Sequence, residues 1–205
     1  MAIIEALVLA AGLSSRMKSN KLLLELSGGK VIEHTIGRLR SDKISGITLV
    51  VGHEKEELTR QLARHDLTII PNDEFQDGMG TSIKRGIKRI MLDSPTVDAV
   101  LIALGDMPLV KTKTVDLLLE TYRAARSPVT VPVYDGRRGH PVIIDRLLFE
   151  DLARLSGDQG AREIIGKHAG GICGVEVNDP GIHMDLDSRE DYWAAKKYLH
   201  LLNNP

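Results

Sequence analysis

The stretch Ile3-Ile-Glu-Ala-Leu-Val-Leu-Ala-Ala-Gly12 decides the fold class. Residues 3–10 are almost continuously apolar and the run closes on Gly12. A strand with one solvated face alternates apolar and polar side chains, whereas a strand covered on both faces does not. Residues 3–10 therefore read as an interior strand of a parallel sheet. Working outward, the same signal recurs at 46–52 (GITLVVG), at 67–70 (LTII, stopped by Pro71) and most strongly at 97–104 (VDAVLIAL). Helical spacing separates these runs. Val31, Ile32, Thr35, Ile36 and Leu39 share one face over 30–40, Leu58 and Leu62 mark 54–64, and 82–92 reads as a third helix. Residues 13–21 and 72–81 read as loops. Beyond residue 104 the spacing predicts a helix over 112–126, strands at 129–134 and 141–145 around a turn at 135–140, and helices at 146–155 and 160–168. Strands at 172–177 and 183–187 and a helix at 189–201 follow. Pro132 points to an edge or irregular position, and Ser188 with Asp191 resembles a capping box with Asp in place of Glu. This alternation predicts an α/β fold of three layers, a mainly parallel mixed sheet with helices on both faces.

Length and composition narrow the function classes. The chain has 205 residues, 42% hydrophobic and 27% charged, which suits one globular domain spanning 1–205. Residues 129–170 break the regular alternation and are the natural place for an acceptor-binding subregion. With a formal net charge of −1 and 3% aromatics, the chain lacks the positive excess of a backbone-reading nucleic-acid binder and the rings of a base-stacking platform. Cys173 is the only cysteine, which excludes an intrachain disulfide and a Cys-rich metal site. The start Met1-Ala-Ile-Ile-Glu5 has no basic n-region and reads as a strand, not a signal peptide. No apolar run approaches the ~18 residues of a membrane span. A cytoplasmic protein is the expectation, with neither nucleic acid nor membrane as partner.

In open α/β sheets ligands bind beyond the carboxyl ends of the strands, and the unusual residues fall there. After the first strand comes Leu9-Ala-Ala-Gly-Leu-Ser-Ser-Arg-Met-Lys-Ser-Asn-Lys21. Small residues at Ala10, Ala11 and Gly12 admit a ligand close to the backbone, Ser14 and Ser15 add hydroxyls, and Arg16 and Lys21 add two cations. Backbone N–H groups beside fixed cations suit a polyphosphate. A basic surface loop would have the same composition, and neither common phosphate-loop pattern is present. After the central strand comes Gly105-Asp106-Met-Pro108, where a carboxylate could hold Mg²⁺ together with substrate phosphates. Asp185 and Asp187 alternate, so both carboxylates can face one way; either could be a second metal ligand, or both could simply favour the start of the last helix. Gly136-Arg-Arg-Gly-His-Pro141 and Gly157-Asp-Gln-Gly-Ala-Arg162 are turns rich in polar groups, the second placing Gly160 and Arg162 at a helix start. The methionines at 79, 91, 107 and 184 read as packing residues.

In combination these motifs resemble the nucleotidyltransferases with a glycosyltransferase-A-like fold. Leu9-Ala-Ala-Gly-x-Ser-x-Arg-Met with Lys21, and Gly105-Asp-Met-Pro108, carry that likeness. Gly78-Met-Gly-Thr-Ser82, Arg138-Gly-His-Pro141, Gly157-Asp-x-Gly-Ala-Arg162 and Asp185-Leu-Asp187 make the chain similar to the molybdenum cofactor cytidylyltransferase-like group, over residues 7–192. Ala10-Ala11-Gly12 stands where guanylyl-transferring relatives usually carry Ala-Gly-Gly. Lys18 departs from the family, which commonly has glycine there.

The resemblance implies transfer of CMP from CTP to the terminal phosphate of molybdopterin, releasing pyrophosphate and forming molybdopterin cytosine dinucleotide. It implies catalytic roles for Arg16, Lys21 and Asp106. It implies nucleotide contacts from Leu9, Ala10, Ala11, Gly12, Ser14, Arg16, Lys21, Gly78, Ser82 and Asp106, and acceptor contacts from Arg138, His140, Gly160 and Arg162. It places Mg²⁺ on Asp106 and Asp187, the latter preferred to Asp185 because it directly precedes Ser-Arg-Glu-Asp; an oxygen-rich site also accepts Mn²⁺. A transient contact with a molybdenum hydroxylase would deliver the product. Three alternatives share parts of this pattern: the same fold using GTP or another phosphorylated acceptor, an NAD(P)-dependent oxidoreductase, and a non-catalytic chaperone for the cofactor. The first loop lacks the dinucleotide glycine pattern, which weighs against the oxidoreductase.

Overall fold

The structure, a computed structural model, describes residues 1–13 and 20–203. Strand β1 spans Ile4–Ala10. Ile4, Ala6, Val8 and Ala10 enter one buried cluster and Leu7 enters another, so both faces are covered and the apolar run is explained. A hairpin follows, β2 (Glu25–Leu26) and β3 (Gly29–Lys30), turned through Ser27 and Gly28 at φ 46 and 87. Two-residue turns with both central φ positive match strand twist. The sequence reading passed over this hairpin, for which Ser27-Gly28 was the only signal.

The chain continues through α1 (Val31–Leu39), β4 (Ile47–Val51), α2 (Lys55–Leu62), β5 (Thr68–Pro71), α3 (Met79–Asp93) and β6 (Ala99–Leu104). Then come α4 (Thr112–Ala125), β7 (Val129–Tyr134), β8 (Arg137–Arg138), β9 (Val142–Asp145), α5 (Phe149–Leu152), α6 (Ala161–Lys167), β10 (Ile172–Glu176) and α7 (Arg189–Asn203). The main sheet has the order β10-β7-β9-β6-β1-β4-β5, with β8 paired to β7. β1 lies parallel to β4 and β6, β4 to β5, and β10 to β7; β9 runs antiparallel to β6 and β7. The predicted mainly parallel mixed sheet between two helical layers is therefore present. Side chains of α1, α2, α4 and α7 fill one core, among them Ile36, Leu58, Leu118 and Ala195. Those of α3, α5 and α6 fill the other, among them Ile87, Phe149 and Ile164. Among the described residues no helix is long and apolar enough to cross a membrane.

Besides the hairpin and β8, which lies inside the stretch read as a turn, three elements differ from the sequence reading. Helix α3 starts at Met79, not 82, so residues Gly78–Ser82 form a helix entry rather than a loop. The helix read over 146–155 is a 3-10 turn at Arg146–Leu148 followed by the one-turn α5. Residues 183–187 form no strand: Leu186 is 1% exposed, and its N–H donates to Asp106 O at 3.1 Å. Burial of Leu186 produced the alternating pattern without a neighbouring strand to pair. The predicted cap at Ser188 is present, with Ser188 N–H and hydroxyl donating to Asp191 Oδ2 at 2.8 and 2.6 Å and Asp191 N–H returning to Ser188 Oγ at 3.1 Å.

Glu33 joins α1 to α2. Its carboxylate accepts from Lys30 N at 2.8 Å, from Arg64 at 2.7 Å and from Gln61 at 3.2 Å. Burial alone would push this carboxyl up; those donors, with His65, override it and hold it at about 2. A depressed carboxyl contributes stability above its unfolded value that is lost as pH falls toward the folded one. Wild-type protein should therefore lose more melting temperature than Glu33→Gln between pH 6 and pH 3, measured by thermal denaturation. Parallel curves for the two proteins would remove Glu33 from the acid response.

Candidate active site

At the carboxyl ends of β1 and β6 a cleft of about 520 Å³ opens. Leu9, Ala10, Ala11 and Gly12 form one wall, Gly78, Met79 and Ser82 another, and Lys21, Asp106, Asp185 and Asp187 the polar floor. The structure thus gathers one long-range set from four separate sequence motifs.

The frame around Asp106 is tightly determined. Gly105 N–H donates to Leu9 O at 2.9 Å, Thr35 Oγ1 donates to Gly105 O at 2.9 Å, and Leu186 N–H donates to Asp106 O. A Cβ on Gly105 would lie 3.0 Å from Leu9 O, so the glycine allows β6 to close on β1 where the cleft begins. The segment carrying Asp185 and Asp187 is stitched down in turn. Asp179, wholly buried, accepts from Lys111 N, Thr114 Oγ1 and Gly181 N at 2.8, 2.7 and 3.0 Å. His140 N–H donates to Ile182 O at 3.0 Å.

Lys21 follows Asn20, whose side chain caps a short 3-10 turn by accepting from Leu22 N at 3.1 Å. Its ammonium lies 2.6 Å from Asp106 Oδ2 and 2.7 Å from Asp187 Oδ1. Burial draws this ammonium down, but the Asp106 charge and the hydrogen bonds to both carboxylates outweigh it and leave Lys21 above its ordinary value. Burial, joined by the charges of Asp187 and Asp106, raises the Asp185 carboxyl. Two carboxylate oxygens converging on one cation form a hard-oxygen donor set. They fit Mg²⁺ or Mn²⁺, which need only one or two protein carboxylates when phosphates supply the remaining oxygens. Among the described residues no three His, Cys, Asp or Glu side chains form a ready-made metal cage.

The other expected site residues are dispersed. Ser14 and Arg16 lie outside the described residues. Arg138 sits exposed on β8, with its backbone paired to Val133, and Gly160 is the N-cap residue before α6, a helix of 7 residues. None of Arg138, His140, Gly160 and Arg162 lines the cleft. His140 nevertheless senses two of the polar groups: burial and then the Arg162 charge lower its imidazole, while Asp185 opposes them. Its Nδ1 is buried and has no hydrogen-bond partner among the described residues.

The cleft also contains residues the sequence reading did not place there. Phe75 and Gln76 precede α3 on the wall, and Asp158 closes the rim from the 157–160 turn. Met79, read as a packing residue, is 46% exposed and faces the cleft. Asp158 was recoverable from its Gly-Asp-Gln-Gly setting; Gln76 carried no local signal.

Comparisons with known proteins agree with this architecture. Residues 6–171 match the MobA-like NTP transferase domain. The chain is 26% identical over 200 residues to the molybdenum cofactor cytidylyltransferase of Escherichia coli K12, covering 96% of this chain and 97% of that protein. Among solved structures, the homologue of Mycobacterium tuberculosis Rv0371c from Mycobacterium sp. strain JC1 superposes with a TM-score of 0.85 at 26% identity, covering 97% of this chain and 98% of that one. The Rv0371c complex with manganese from M. tuberculosis H37Rv superposes with a TM-score of 0.79 at 24% identity, covering 96% of this chain and 99% of that one.

Proposed function

The chain belongs to the MobA-like NTP transferase family, and from that premise we propose that it transfers CMP from CTP to the terminal phosphate of molybdopterin. The observation that carries the reading is the convergence of Asp106 and Asp187 on Lys21, beside the Leu9–Gly12 wall. The near full-length similarity to a cytidylyltransferase supports cytidine as the base and molybdopterin as the acceptor.

In the proposed reaction an oxygen of the acceptor phosphate forms a bond to the α-phosphorus of CTP. The bond from that phosphorus to the β-bridging oxygen breaks, and pyrophosphate leaves with the electron pair. The nucleophile is already anionic, so no strong general base is required. The protein's task is to bring two anions together and to offset charge on the leaving group. The small residues Ala11 and Gly12 on the cleft wall would let phosphates come close to the backbone, and Lys21 and Arg16 would supply positive charge. Asp106 and Asp187 would hold Mg²⁺ or Mn²⁺, which when bound neutralises phosphate oxygens as a Lewis acid. A structural neighbour in complex with manganese is consistent with that donor set. His140, whose imidazole feels the charges of both Arg162 and Asp185, is an acceptor contact in this reading, as is Arg162. Arg138 and Gly160 remain acceptor contacts in this reading. The setting is a cytoplasmic enzyme that hands its product to a molybdenum hydroxylase.

Pyrophosphate release tests this directly, with molybdopterin, Mg²⁺ and either CTP or GTP. Release with CTP alone is expected. Release with GTP alone would overturn the base, and release with neither, from folded protein and active cofactor, would overturn the acceptor.

A further inference from the structure

We infer that the cavity at the amino ends of β1, β4 and β5 binds a small organic cation, an alkyl amine or guanidinium, whose charge pairs with Glu5. The cavity measures about 400 Å³ and lies at the opposite end of the sheet from the catalytic cleft. Its size falls within the ~300–1,000 Å³ usual for small-molecule sites.

The sheet face beneath α3 is apolar at Leu7 and Val50, and Gly86 lets the helix close on it: a Cβ there would lie 2.3 Å from Leu7 Cδ1. One pleat toward the amino ends, the same face becomes polar, with Glu5, Thr48 and Thr68 adjacent across β1, β4 and β5. Glu5 and Thr48 floor the cavity, the exposed Thr68 stands at its mouth, and the last turn of α3 roofs it. Glu5 is only 7% exposed. Its Oε1 accepts from Thr48 Oγ1 at 2.6 Å, and among the described residues its carboxylate has no other hydrogen bond and no ion pair. A buried carboxylate with one neutral donor is costly unless a cation joins it.

The surroundings reinforce a positive ligand. Arg89 and Asp93 pair with each other across one turn of α3, so Glu5 leaves the lining with one uncompensated negative charge. The carbonyl end of α3 adds negative potential at the same place. A bare metal ion is a poorer match, because among the described residues no three metal-ligating side chains gather and because Ile3, Ile90 and Val97 make part of the wall apolar. An organic cation uses both features, its charged head on Glu5 and its carbon chain on those aliphatic side chains. The inference is independent of the transfer reaction, so loss of one leaves the other standing.

Titration of the folded protein with agmatine, which carries an amine and a guanidinium, tests this by amide NMR shifts; 1,4-butanediol serves as the uncharged control. Saturable shifts at Gly46, Thr48, Thr68 and Thr96 are expected with agmatine and not with the diol. Glu5→Gln should weaken binding about tenfold or more, the scale of a lost charge-assisted hydrogen bond. Thr68→Trp, placed at the exposed mouth, should block binding while retaining Glu5. No saturable shift, shifts confined to the cleft around Gly12 and Asp106, or equal binding by Glu5→Gln would overturn the site. Were Glu5→Gln not to fold, unchanged binding by Thr68→Trp would overturn it equally.

Discussion

Replacing Asp106 with alanine is expected to lower kcat by about 10²–10³-fold, the scale of removing one preorganised electrostatic group from a transition state. It should also remove the dependence of turnover on Mg²⁺ concentration. The fold should survive, for reasons visible around the residue. The backbone at 105–106 is fixed by Leu9 O, Thr35 Oγ1 and Leu186 N–H, none of which involves the Asp106 carboxylate. Lys21 keeps Asp187 at 2.7 Å, so its partly buried ammonium is not left without a counter-charge. Asp106→Asn separates charge from shape, since it retains the side-chain volume and loses the negative charge; it should behave like the alanine variant. Steady-state kinetics over a Mg²⁺ titration, with a thermal melt to show folding, decides the matter. Turnover of wild-type magnitude with unchanged metal dependence would remove Asp106 from the metal site.

The legibility of this centre in the sequence follows from where its constraints originate. β1, β4 and β6 were readable because strands buried on both faces admit little besides aliphatic residues, a local consequence of a global position. Asp106 and Lys21 were readable because each follows such a strand, where α/β sheets place ligands. The alternation of Asp185 and Asp187 also marked them, but for the wrong local reason. Their common orientation comes from Leu186 being buried beside Asp106, not from a β-ladder. The entry of α3 was misread because Gly78 and Gly80 look like loop glycines, while their cause lies eighty residues away in the turn at 156–160. Gln76 and Phe75 reach the cleft only through that entry geometry, so no spacing rule could have found them. The antiparallel β9 was legible through its connection, since a short turn at 135–140 returns the chain from β7 and makes the sheet mixed.

The same tertiary constraint sets the second large effect, Gly78→Ala. Gly78 has φ 108 and ψ 174, a backbone region essentially reserved for glycine. An added Cβ would stand 2.4 Å from both the carbonyl carbon and oxygen of Gly157, and 2.5 Å from Asp158 Oδ1. Backbone atoms cannot swing aside as a flexible side chain would, so the 156–160 turn must move away. Doing so breaks the Gly80 N–H to Gly157 O bond of 3.0 Å and shifts Met79, Ser82 and Asp158 on the cleft wall together. Strain of about 1–3 kcal/mol, with the lost docking, should lower the melting temperature by roughly 4–10 °C for a chain of this size. A displacement near 1 Å on the wall should lower kcat/KM by about 100-fold. Gly136→Ala isolates the strain contribution: Gly136 also has positive φ, at 69, but a Cβ there meets nothing within 4 Å and the residue is outside the cleft. That variant should lose only about 2–4 °C and keep its turnover. If Gly78→Ala matched it in both measurements, the α3 entry would be a strained turn without a part in shaping the cleft, and the glycine pair would owe its place to folding alone.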